Sequence, residues 1–67
     1  MKFNHEVCVL KYNGIDIERL WSCKCFTFDC AKQTYDNLIH YFIEHENNKH
    51  ITVALYTDDS LIMMKEV

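Results

Sequence analysis

The sequence predicts an α+β fold of order ββαββ, one four-stranded sheet with a single helix on one face. Three observations carry that prediction. Asn13-Gly14 separates two runs rich in β-branched and aromatic residues, the apolar spacing lengthens after Thr27, and Asp58-Asp59 divides a second pair of alternating runs. With 67 residues, no proline, no repeat and no linker, residues 1–67 are read as a single domain.

The first strand is expected from about Phe3 to Tyr12 and the second from Ile15 to about Phe26. Gly14 is the only glycine in the chain, and an Asn-Gly pair suits a two-residue type I′ turn because both central positions need positive φ. Such a turn sets Tyr12 opposite Ile15, Lys11 opposite Asp16, Leu10 opposite Ile17 and Val7 opposite Leu20. One face then holds Cys8, Leu10, Tyr12, Ile15, Ile17, Trp21 and Cys23, the expected core. The other holds Phe3, Val7, Val9 and Leu20 among His5, Lys11, Asp16, Glu18 and Lys24.

Thr27 or Asp29 can accept a hydrogen bond from the first free amides of a helix. Beyond them Ala31, Tyr35, Leu38, Ile39, Phe42 and Ile43 recur at helical spacing, with Lys32, Gln33, Asp36, Asn37, His40, Glu44 and Asn47 on the opposite side. Asn47-Asn48-Lys49 is the expected stop, since Asn tolerates a left-handed cap. A third strand is expected from about Lys49 or His50 to Thr57, and a fourth from Ser60 to Glu66. Tyr56 faces Leu61 whether the loop holds two residues or four, which groups Ile51, Val53, Leu55, Ile62 and Met64 against Ala54, Tyr56, Leu61 and Met63. A right-handed crossover leaves strand order 2-1-4-3, the preferred one, or a fully antiparallel 2-1-3-4.

Ten acidic and seven basic residues give a net charge of −3, and the cations at Lys2, Lys11, Arg19, Lys24, Lys32, Lys49 and Lys65 are dispersed. That pattern supplies no cationic stripe for nucleic acid, which is not an expected partner. No apolar run approaches a membrane span, and Met1-Lys2 leads directly into alternating strand, so a cytoplasmic location without membrane contact is expected. In that compartment Cys8, Cys23, Cys25 and Cys30 are expected as free thiols.

Several groups invite chemistry. Cys23, Cys25 and Cys30 place three sulfurs where a zinc ion could take His5, His40, His45 or His50 as a fourth ligand. Yet Cys-x-Cys is not the knuckle spacing of structural zinc, and cysteine is often simply buried. Cys30, early in a helix, resembles a nucleophile position, but His40 lies nearly three turns away and His45 further still. Asp58, Asp59 and Ser60 are read as a solvated turn, and Asp36, His40 and Glu44 as a solvated helix strip. A single glycine excludes a phosphate-cradling loop, and no nucleophile elbow, His-Glu-x-x-His motif or paired-acid arrangement is present. An enzyme is not expected, and no cofactor or metal is assigned.

One helix covers one sheet face, leaving the second to water or another chain. On the predicted parity the second face carries Val7, Val9, Leu20, Ala54, Tyr56, Leu61 and Met63, and burying each Val, Leu or Met is worth roughly 1.5–3 kcal/mol. The sequence is therefore read as a non-catalytic protein-interaction module, homodimeric through Val7, Val9, Leu20, Tyr56, Leu61 and Met63 or bound there to another protein. Its size and composition are those of small accessory proteins of bacteria and phages. Two alternatives are an acidic inhibitor that mimics nucleic acid through Asp16, Glu18, Asp36, Glu44, Asp58 and Asp59, and a zinc-stabilised regulatory domain built on Cys23, Cys25 and Cys30.

Overall fold

A computed structural model of the chain describes residues 4–44 and 50–67. Strands β1 (His5–Tyr12) and β2 (Ile17–Cys25) precede the helix α1 (Phe28–Glu44), and β3 (Ile51–Thr57) and β4 (Ser60–Glu66) follow it. Phe3, His45 and the expected helix stop at Asn47-Asn48-Lys49 lie outside the described residues.

The sheet has order β2-β1-β3-β4 and is antiparallel throughout. The preferred order 2-1-4-3 is thus corrected to its alternative, and strand composition gives the reason. A central strand is flanked on both edges and screened on both faces, and β3 is apolar on both: Val53, Ala54 and Leu55 are all buried. Ser60, Lys65 and Glu66 suit β4 to an edge. Backbone bonds from Tyr12 N to His50 O (3.1 Å) and from Asp58 N to Asn4 O (2.8 Å) extend the β1–β3 pairing past both strand ends.

Thr27 caps the helix. Its Oγ1 accepts from Cys30 N at 3.2 Å and its carbonyl from Ala31 N at 3.2 Å. Ala31, Tyr35 and Ile39 are buried along one stripe, Leu38 and Phe42 pack beside them, and Ile43 turns out to solvent. Beneath the helix lie Val7, Val53, Leu55 and Cys25, with Met63 and Cys23 against their margin.

The second hairpin takes the shorter of its two expected loops, and the first departs from its expected turn. Asp58 and Asp59 have φ of 50° and 64° between the paired residues Thr57 and Ser60, so the two-residue loop with both central residues at positive φ occurs there. At Asn13 the chain takes a longer loop. Asn13 N donates to Asp16 O at 3.1 Å, while Asn13 Oδ1 accepts from Ile15 N (3.0 Å) and Asp16 N (2.8 Å). Two amides satisfied by one side chain stabilise this bend over the tighter turn, and Tyr12 pairs with Ile17 instead of Ile15. Gly14 has φ of 95°, and nothing lies within 4 Å of where a Cβ would stand, so backbone conformation and not space requires glycine.

Each edge strand contains a one-residue irregularity. In β2 the pairs run Leu10 with Arg19 and then Val9 with Trp21, leaving Leu20 extra. In β4 they run Tyr56 with Leu61 and then Leu55 with Met63, leaving Ile62 extra. One extra residue reverses side-chain parity beyond it. Trp21, Cys23 and Cys25 therefore join Val9, Val7 and His5 on the helix side, while Leu10, Tyr12 and Ile17 remain on the uncovered side. Met63 turns to the helix and Met64 away from it.

Candidate functional site

The uncovered face is built from alternate residues of all four strands. Its centre is small and closed: Cys8 and Ala54 pair across β1 and β3 and are 0% and 1% exposed although no helix covers them. Burial raises the Cys8 pKa, with the Glu6 carboxylate adding to the effect and the Arg19 guanidinium opposing it.

The two ends of this face differ in chemistry. Toward the Asp58-Asp59 turn, a depression of about 630 Å³ is lined by Glu6, Arg19, Lys24 and Tyr56 with both aspartates. Toward the Asn13 loop, Leu10, Tyr12, Ile17, Thr52 and Met64 surround a shallower hollow of about 100 Å³. Tyr12, Ile17 and Met64 are 51%, 68% and 57% exposed, so the apolar end meets solvent. The Tyr12 hydroxyl donates to the Gly14 carbonyl at 3.2 Å, which ties the ring to the loop.

Of the six residues expected on this face, Tyr56 and Leu61 are there. Val7 and Val9 are not: they are 0% and 2% exposed on the helix side of the sheet. Met63 packs against the helix-side core, because the irregularity at Ile62 reverses parity. Leu20 is the extra residue of β2 and lines a groove of about 300 Å³ with Trp21, Leu38, Tyr41 and Phe42, between β2 and the second half of α1. Tyr12, expected in the core, lies on the open face instead. Alternation read outward from the first turn as far as the irregularity groups Ile17 with Leu10 and Tyr12, whereas Met64 lies beyond the extra Ile62 and no local signal marks it.

A second group of side chains sits where β2 meets α1. Cys23 and Cys25 face the helix, Cys25 is buried and Cys30 is exposed in the first helical turn. Burial pushes the Cys25 thiol up to about 11, and the neighbouring Cys30 and Cys23 thiols add to the effect. His5 lies opposite Cys25 in the ladder, shares a 2.8 Å hydrogen bond between Nδ1 and Thr57 Oγ1, and packs edge-on to Phe28 at 5.9 Å. Among the described residues, no group of three or more His, Cys, Asp or Glu side chains is arranged to hold a metal ion.

The remaining candidates stay apart. Cys30 and His40 are ten residues apart on one helix, about 15 Å along its axis, beyond hydrogen-bonding reach. Asp36 is engaged by Lys32 at 2.8 Å, and Lys32 Nζ also lies 5.7 Å from the Tyr35 ring centroid. No helix among the described residues is long and apolar enough to cross a membrane. In comparisons with protein families, characterised proteins and solved structures, the chain matches none.

Proposed function

We propose that this chain is a non-catalytic protein-interaction module that pairs with a second copy of itself through the uncovered sheet face. The observation that carries this reading is the contiguous apolar end of that face, where Tyr12, Ile17 and Met64 are each more than half exposed around Leu10. Both edge strands are interrupted, at Leu20 and Ile62, and such interruptions discourage edge-to-edge pairing, so the face is the better contact than the edge.

Like must meet like in such a dimer. A two-fold axis running along the strands sets apolar end over apolar end and brings Arg19 and Lys24 near the partner's carboxylates. An axis across the strands buries charge against Ile17 and Met64. Catalysis receives no support, since the apolar end carries no nucleophile or base, and the mixed charge of the other end does not favour an acidic mimic of nucleic acid. A role as an accessory protein of a bacterium or phage, acting in the cytoplasm, accords with the small size.

Light scattering with reductant present tests the pairing. The wild-type chain is expected to be a dimer at high concentration. Ile17→Lys should weaken association roughly a hundred-fold, since an unpaired buried charge costs about 3 kcal/mol or more. Leu20→Lys, in the groove on the other side, should leave it intact. A wild-type monomer at the highest concentration, or a dimer indifferent to Ile17→Lys and Met64→Lys together, overturns the reading.

A further inference from the structure

The apolar end of the uncovered face gives two copies a reason to meet, and the charged end constrains how they meet. Around its depression stand four exposed charges, Arg19 and Lys24 from β2 and Asp58 and Asp59 from the turn joining β3 to β4. The sheet order β2-β1-β3-β4 puts the cations on one side of the sheet's midline and the aspartates on the other. Among the described residues none of the four takes part in an ion pair; Lys32 and Asp36 form one on the helix. Each chain therefore offers, on one face, two separated sets of opposite charge that it leaves unmatched.

A two-fold axis along the strands, on the midline between β1 and β3, exchanges the two sides of the face while keeping its ends in place. It lays β2 of one copy over β3 and β4 of the other, so the cations of each meet the aspartates of its partner. At its centre the axis meets Cys8 and Ala54, whose small side chains let the two sheets approach. Building on pairing through this face, we propose that Arg19 and Lys24 of each copy form ion pairs with Asp58 and Asp59 of the other. This reciprocal lock makes the contact selective for a second copy of the chain and sensitive to ionic strength. An apolar surface on an unrelated protein matches the end bearing Tyr12, Ile17 and Met64, but it leaves the four charges partly desolvated and unpaired.

Light scattering on the full chain reads the pairing at about 0.01 M and about 1 M salt, between which the screening length falls from about 30 Å to about 3 Å. Each copy carries a net charge of −3, so general repulsion alone makes salt strengthen the dimer, whereas reciprocal ion pairs make salt weaken it. Weakening is expected. Arg19→Glu with Lys24→Glu should loosen the dimer roughly ten-fold or more, as should Asp58→Lys with Asp59→Lys, since like charges then face each other. An equal mixture of these two variants should pair as the wild type does, because each supplies the charge the other lacks. Asp36→Lys with Glu44→Lys shifts the net charge by the same amount on the helix, and mixing it with the first variant should not restore pairing. Lysine is strained at the positive φ of positions 58 and 59, so Asp58→Asn with Asp59→Asn is measured beside it and should also weaken the dimer. A wild-type dimer that salt strengthens, charge variants that pair like wild type, a mixture of folded variants that stays apart, or a helix control that restores pairing each overturn the proposal. In those cases the dimer reading still stands if Ile17→Lys disrupts the contact, whereas a wild-type monomer at the highest concentration overturns both.

Discussion

Cys25 shows how one buried side chain makes stability depend on pH. Its thiol ordinarily ionises at 9.0, and in the fold not until about 11. Between those values the unfolded chain holds fewer protons than the native one, so stability is complete below pH 9 and declines as the pH rises through that window, by about 2–3 kcal/mol at most. Cys8 and Tyr35, both raised chiefly by burial, act in the same direction. Urea titrations at stepped alkaline pH should show the decline, and Cys25→Ala should flatten it while lowering stability overall. At this scale the sequence was legible where chemistry is local. A cap was expected at Thr27 or Asp29, because an oxygen-bearing side chain before a helical period has one evident use, and Thr27 fills it. The positive φ of Asp58 and Asp59 was not expected, because Asn-Gly was the better candidate for the tight turn until the Asn13 side chain took up two amides of its own loop.

Among the elements, the helix was the easiest to read and the sheet register the hardest. The stripe Ala31, Tyr35, Leu38, Ile39 and Phe42 packs on the sheet as its spacing indicates, because a 3.6-residue period has only one way to face a flat partner. Ile43 extends that spacing but stands 52% exposed. Ile39→Ala should therefore cost about 2–4 kcal/mol in denaturant unfolding, and Ile43→Ala less than about 1 kcal/mol; equal costs contradict this packing. Strand alternation carries no such safeguard. A period of two inverts with one extra residue, and neither Leu20 nor Ile62 bears any local mark of being extra, so Val7 and Val9 read as outward although both are buried on the helix side.

For the molecule as a whole, strand order and the solvent-facing side were decided by competition among strands, which no single segment reports. The sheet places at its centre the strands apolar on both faces, a comparison of β3 with β4 that a hairpin-by-hairpin reading does not make. The apolar excess that suggested association remains, redistributed to the end bearing Tyr12, Ile17 and Met64. If that end is shared between two copies, unfolding is coupled to dissociation, and a tenfold rise in protein concentration should raise the thermal midpoint by roughly 5 °C. A midpoint independent of concentration counts against pairing.

The extra residues in β2 and β4 behave like frame shifts in a two-letter code. Changing the length of the Asn13 loop by two keeps the frame, whereas removing Leu20 would either turn Trp21, Cys23 and Cys25 away from the helix or turn Ile17 and Arg19 toward it. The chain can thus change length by twos at that loop, yet is bound at Leu20 to a residue count and not to a side chain.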